Sequence, residues 1–428
     1  MTAIVGVMNK HAVALAADSA VTISSYNGRK VLNTANKIFN ISKYEPVGVM
    51  VYSNASFMGT PWDLIVKLYR KRLAHQKFDH IDGYLVEFLS FLKDNTYFCS
   101  EKHQKDILMN MMQNYYAEIY SSAKRECELK TPGAIIPKFE ILTEMISLFS
   151  KITSDRNKLN ICEDFKDYKL EQFKQYSVDF ISNLESELLK KIPAIPNGLI
   201  DSFIASFFAL ITRQCNVPGF TGLVFVGYGE KDIYPSLIPV NILLAFDGKL
   251  RFYIDTNSES RISEFNRASI SPFAQVDVMM NILTGIASPI KDLVFETFSR
   301  ILGKYNTLIQ NLLIANGADS SIVNAVEKAP LPAVYGEFVD SINNYIQEEY
   351  IRKLIDTVEY LDIEDLSNMA ESLIALTGLK KRMTSSEENV GGPVDVAVIS
   401  KIDGFIWMKR KHYFDKELNS QFFERYNH

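Results

Sequence analysis

The feature that most constrains the fold is the segregation of strand-forming and helix-forming residues into successive blocks. Residues 2–8 and 11–17 are apolar runs rich in Val, Ile and Ala, separated by Asn9-Lys10, which predicts a two-residue hairpin loop. After a turn signal at Asn27-Gly28, residues 37–41 and 48–53 continue as strands. From about Trp62 to Gln214 the periodicity becomes helical, with few breakers before Pro132-Gly133 and Pro193. Strands return at 223–228, 240–246 and 250–255, the last two joined by Asp247-Gly248, a strong hairpin signal. Helices follow from Pro272 to about Leu379, and the chain closes on strands 394–399 and 405–410 about an Asp403-Gly404 turn. Strands grouped this way pair into antiparallel sheets, and helices grouped in blocks cover their outer faces. The expected fold class is therefore α+β and layered. The block at 62–214 is an enlarged helical insertion between strand blocks, and without a low-complexity linker residues 1–428 read as a single domain.

Composition excludes several function classes. With 46 Lys and Arg against 51 Asp and Glu, the net charge is −5. That leaves no electrostatic footprint for phosphate backbones, so nucleic acid is not expected as a partner. Cys99, Cys127, Cys162 and Cys215 lie far apart and the histidines do not cluster, which argues against both a zinc site and a disulfide framework. Neither a P-loop nor a dinucleotide fingerprint occurs, so no cofactor is expected and any nucleotide dependence would come from another chain. The start lacks a basic leader, and the most apolar helical run, 202–212, is well short of the ~18 residues a membrane span needs. The expectation is a cytoplasmic protein without metal or membrane contact.

Chemistry concentrates at the chain start. With Asn9-Lys10 as the loop, Met8 faces His11, Val5 faces Ala14 and Thr2 faces Ala17, which sets Asp18 just past the free end. Methionine before a small residue is normally trimmed, and its loss would make Thr2 the first residue. A hydroxyl is a poor nucleophile without a base; an N-terminal threonine carries one, an α-amine that titrates at about 7.7–8. Lys37 shares its strand face with Phe39 and Ile41, an odd place for an ammonium unless it is paired. A partly buried Lys37 beside Asp18 would favour the deprotonated threonine hydroxyl. Blander readings stand beside these. Thr2 alone is a strand-end residue, Asp18 a turn residue and Lys37 a lysine whose stem covers apolar surface. Ser269 and Ser271, before Pro272, read equally as helix caps. The basic runs 380–382 and 409–412 read as solvated edges.

The stretch Thr2…Ala16-Ala17-Asp18-Ser19…Lys37-Ile38-Phe39-Asn40-Ile41 resembles the proteasome β-type subunits and their bacterial ring-peptidase relatives, which are N-terminal-nucleophile (Ntn) hydrolases. Two further stretches look similar. Ser269-Ile270-Ser271-Pro272-Phe273-Ala274 is similar to the family's serine-bearing segment, which would place Ser269 beside the terminal amine. Residues 387–396 are similar to its aspartate–serine–glycine–glycine segment, with Glu387 standing for the aspartate and Val390, which lacks a hydroxyl, for the serine. Where the family has oxyanion-hole glycines this chain has Ser53 and Asn54, whose backbone N–H groups would take that role. The resemblance implies a four-layer αββα sandwich, a threonine peptidase acting on peptides or proteins, homo-oligomeric assembly and an ATPase partner in trans. Other readings are the same chemistry on a small amide, and a non-catalytic assembly or sensing subunit.

Overall fold

In a computed structural model of the chain, residues 2–25, 28–94, 100–191, 195–328, 330–384, 391–412, 414 and 417–419 are described. The elements begin with strands β1 (Ala3–Asn9), β2 (Ala12–Ala17), β3 (Val21–Ser25), β4 (Gly28–Leu32), β5 (Ile38–Asn40), β6 (Val47–Ser53), β7 (Ser56–Phe57) and β8 (Thr60–Pro61). Seven α-helices follow: α1 (Trp62–Leu73), α2 (Ile81–Asp94), α3 (Glu101–Lys130), α4 (Lys138–Asn157), α5 (Leu170–Tyr176), α6 (Val178–Lys191) and α7 (Leu199–Thr212). Then come β9 (Thr221–Gly227), β10 (Ser236–Phe246), β11 (Lys249–Ile254), β12 (Ser260–Arg261) and β13 (Ala268–Ala274). The last elements are α8 (Val276–Thr284), α9 (Ser288–Ala315), α10 (Ser320–Glu327), α11 (Leu331–Ile346), α12 (Lys353–Glu359), α13 (Ile363–Thr384), β14 (Asp395–Ser400) and β15 (Gly404–Lys409). The fold is mixed α/β with antiparallel sheets. The chain divides into two compact units, one of residues 1–38, 233–235 and 260–428, the other of residues 39–232 and 236–259.

In the first unit the strand order is β13-β1-β2-β14-β15. Every residue of β1 and β2 is buried. Ala3, Val5 and Val7 share a face with Ala12, Ala14 and Ala16, and this face packs with Leu366, Ala370, Leu373 and Ile374 of α13. Alanine at alternate positions of β2 leaves room for that helix to lie close to the sheet. The register differs from the sequence expectation by two residues: Val5 pairs with Ala16 and Met8 with Val13. Asn9 is the cause. Its Oδ1 accepts from the His11 N–H at 2.9 Å, while its Nδ2 donates to the Val358 and Leu361 carbonyls at 2.9 and 2.8 Å. The fully buried side chain thus shapes a four-residue turn and satisfies carbonyls at the end of α12.

Three strands depart from the sequence reading. Residues 268–274 form β13, an edge strand, and the helix begins only at Val276. Pro272 sits opposite Val5, and its missing N–H is tolerated because β13 has a neighbour on one side only. The hairpin β3–β4 pairs from Val21 with Leu32 to Ser25 with Gly28, and Asn27 of its turn lies outside the described residues.

In the second unit the strands run β11-β10-β9-β6-β5, and helices α1 to α7 occupy the helical block read at 62–214. Its core is aromatic, with Trp62, Tyr69, Phe88, Phe203, Phe207 and Phe225 fully buried. The β10–β11 turn carries Asp247 at φ 49° and Gly248 at φ 66°, the two left-handed residues a type I′ turn demands. Among the described residues no single helix is long and apolar enough to cross a membrane. The bent pair α8 and α9, at 68°, meets that test of length and composition together.

Candidate active site

Asp18 directly follows β2, and its backbone N–H extends the ladder by donating to the Ala3 carbonyl at 3.1 Å. Its side chain is 2% exposed and collects four donors. Oδ1 accepts from the Ala3 N–H at 2.8 Å and from Lys37 Nζ at 2.6 Å. Oδ2 accepts from the N–H of Ala20 at 3.1 Å and of Gly391 at 3.3 Å. Lys37 is 4% exposed and donates also to the Ala20 carbonyl at 2.7 Å. A buried ion pair is tolerable only when most of its remaining lone pairs and protons are satisfied, and here both Asp18 oxygens and two of the three Lys37 protons are. Burial pushes the Lys37 ammonium below its usual range, against the opposing pull of the Asp18 charge and hydrogen bond.

Thr2, itself buried, is joined to this group through the peptide whose N–H Asp18 holds. Thr2, Asp18 and Lys37 are therefore brought together, as the sequence expects. The register shift explains how: Asp18 comes opposite Ala3 rather than beyond the end of the strand. Residues 391–393 close over the same carboxylate. The Ser19 N–H donates to the Gly391 carbonyl at 3.2 Å, and Ser19 Oγ donates to the Pro393 carbonyl at 2.5 Å. Gly392 has φ 76°, and a Cβ there would lie 2.9 Å from Asn33 Cβ. Gly392→Ala is accordingly expected to lower unfolding stability by more than about 1 kcal/mol. Gly303→Ala, in the interior of α9 with open space around it, is expected to leave stability unchanged or raise it by up to about 1 kcal/mol; paired urea melts check both.

Ser269, another expected site residue, lies elsewhere on the same sheet. Ser269 pairs with Met8, and Thr2 is six positions away along the same strand, roughly 20 Å at about 3.4 Å per residue. The expectation that Ser269 assists the amine is corrected by that register: the segment is a strand laid along β1, not a loop before a helix. Ser269 Oγ lies 3.2 Å from Ser271 Oγ. Glu387 and Val390 lie outside the described residues. Ser53 and Asn54 belong to the second unit and are described within it. The Asn54 N–H already donates to the Phe220 carbonyl at 3.3 Å, so it is committed to the strand end. Ser53 is exposed with φ 69°, a left-handed conformation that favours glycine.

Sequence reasoning missed a second ion pair beside the first. Asp395, at the start of β14, pairs with Ala17 in register, is 2% exposed, and accepts from the Lys411 N–H at 2.9 Å and from Lys411 Nζ. Lys411 is only 13% exposed, which corrects its reading as a solvated edge. Its charge further lowers the Lys37 pKa and that of Asp395 raises it, so the two pairs sense each other. The available signal was an aspartate opening an otherwise apolar strand, since a carboxylate is almost never buried unpaired. Among the described residues no group of three or more His, Cys, Asp or Glu is placed to hold a metal ion. Compared with protein-family models and with curated proteins, the chain matches none, and the chemistry of the site rests on the geometry of Thr2, Asp18 and Lys37.

Proposed function

We propose that the chain is a threonine-type Ntn hydrolase, of proteasome-like αββα type, that cleaves peptide amide bonds through a Thr2-acyl intermediate once Met1 is removed. The observation that carries this reading is the buried Asp18 carboxylate, which holds the residue 2–3 peptide at 2.8 Å and Lys37 at 2.6 Å. In the reaction the Thr2 amine takes the hydroxyl proton as Oγ bonds to the substrate carbonyl carbon. The same proton passes to the departing nitrogen as the C–N bond breaks. Water then hydrolyses the ester and regenerates the hydroxyl. Lys37 spends two of its three N–H donors on Asp18 and Ala20, which leaves the third to stabilise the Thr2 oxygen as it loses its proton.

The test is direct. Intact mass should show Met1 absent, and an epoxyketone directed at N-terminal threonine should add one equivalent. Thr2→Ser should keep the adduct and Thr2→Ala should lose it; an adduct retained in Thr2→Ala overturns the proposal. The position of Ser269 favours a second reading, a non-catalytic subunit that keeps the scaffold, and a retained Met1 on folded protein would select it.

A further inference from the structure

A guanidinium without a counter-ion lies inside the second unit. Arg251 of β11 sits opposite a bulge in β10, where Leu243 and Leu244 together face this one residue, between the pairing of Ile242 with Phe252 and that of Ala245 with Leu250. Its side chain is fully buried. Of its N–H donors only those on Nη2 are used: they go to the Arg213 carbonyl at 2.8 Å and the Cys215 carbonyl at 2.5 Å, and Nη2 lies 3.9 Å from Cys215 Sγ. Nε and Nη1 are buried and meet no acceptor, and among the described residues no carboxylate pairs with the group. The Tyr253 ring, 5.3 Å from Cζ, offers a π face but no charge. A buried charge left this way is costly, and an anion at this position would complete it.

A group able to become that anion is already in contact. The Cys215 thiol donates to the Leu210 carbonyl at 3.7 Å and accepts from Arg251, so its sulfur stands between a carbonyl and a cation. It is partly exposed, whereas Cys127 and Cys162 are buried. Burial pushes the Cys162 thiol up to about 11, against the pull of Arg251, which keeps that cysteine protonated. Oxidants select the sulfur that is both reachable and beside a positive charge, and among these three only Cys215 meets both conditions.

We propose that Cys215 is a modification site for hydrogen peroxide, oxidised to a sulfinate that pairs with Arg251. This does not depend on the catalytic reading. In the first step the sulfur bonds to one peroxide oxygen as the O–O bond breaks, and the departing hydroxide leaves with the thiol proton as water. The guanidinium stabilises the negative charge on sulfur as that proton goes. A second peroxide adds an oxygen to the sulfenic acid and is likewise reduced to water. The sulfinic acid then gives its proton to solvent and supplies the charge that Arg251 lacks.

The full chain, treated with hydrogen peroxide and dimedone and digested with trypsin, tests this. Peptide 214–231 contains Cys215 and no methionine, so its mass reports this sulfur. It should carry dimedone, or two added oxygens when dimedone is left out, at a rate about tenfold above that of the same cysteine in the urea-unfolded chain. Peptide 159–166, with Cys162, should stay unmodified in the folded protein. A cysteine that is merely reachable reacts no faster folded than unfolded, and that result overturns the proposal. A second measurement needs no oxidant. Cys215→Asp, whose carboxylate stands in for the sulfinate, should have a higher urea midpoint than Cys215→Asn, its uncharged isostere. An equal or lower midpoint for the aspartate variant would show that Arg251 takes no anion there, and overturns the pairing.

Discussion

Asp18→Ala is expected to lower unfolding stability by about 3–5 kcal/mol, the cost of leaving one buried charge without its partner. One carboxylate answers both Lys37 and three backbone N–H groups, so its removal strands all four donors. The pH dependence of the variant follows from the direction of the Lys37 shift. The folded state already holds its pKa below the unfolded value of 10.5, and loss of the opposing Asp18 charge lowers it further. The unfolded state then binds more protons, so the variant regains stability as pH rises towards 10.5. Asp18→Ala combined with Lys37→Met removes both charges and is expected to recover the part of the loss that comes from the unpaired ammonium, while the Ala3, Ala20 and Gly391 N–H groups still lack their acceptor. That double variant should fold and yet fail to take up the threonine probe, which separates the structural role of the pair from its chemical one. Urea midpoints of the three proteins decide the matter. A single variant within about 0.5 kcal/mol of wild type would mean that Lys37 finds water when Asp18 is gone.

The proximity of Thr2, Asp18 and Lys37 was legible in the sequence because a hairpin is a local structure, and a lysine on an apolar strand face needs a counter-charge. The register was not. A two-residue slip keeps every side chain on its predicted face, so hydrophobic pattern cannot distinguish the two alignments. What fixes the alignment is Asn9, whose amide is held by the carbonyls of Val358 and Leu361, some 350 residues away in sequence. Ser269 was misplaced for a related reason. A proline two or three residues on suggests a helix start, and only the partner strand reveals that Pro272 sits on an edge. The Asp395–Lys411 pair was hidden because Lys411 stands in a run of basic residues. Of that run, Arg410 lies over the Trp407 ring at 4.4 Å and exposed Lys409 pairs with half-buried Glu371, while Lys411 turns inward. Charge runs describe average solvation, and one member that departs from the average leaves no local trace.

Alkaline solution is expected to unfold the second unit in a cooperative step above about pH 10, where free tyrosine begins to ionise. Tyr52, Tyr69, Tyr84, Tyr116, Tyr168, Tyr228 and Tyr253 all belong to that unit, and burial is the leading cause that raises the pKa of each. Tyr84 and Tyr116 are pushed up to about 12. At Tyr168 the hydroxyl also donates to Asp247 at 2.7 Å, a bond that a phenolate cannot make, on the residue that shapes the β10–β11 turn. For a group whose folded pKa is raised, the contribution to stability is complete below the unfolded value and is lost as pH climbs towards the folded one. Fully buried Tyr84 alone forfeits on the order of 3 kcal/mol over that interval, a sizeable part of the 5–15 kcal/mol that holds a typical domain together. Lys37 acts in the opposite sense in the first unit, because its folded pKa is lowered. Tyrosinate absorbance should therefore lag behind the free amino acid and then rise steeply together with loss of far-ultraviolet circular dichroism. A gradual titration centred near pH 10 with the dichroism intact would show that these hydroxyls already reach water in the folded protein.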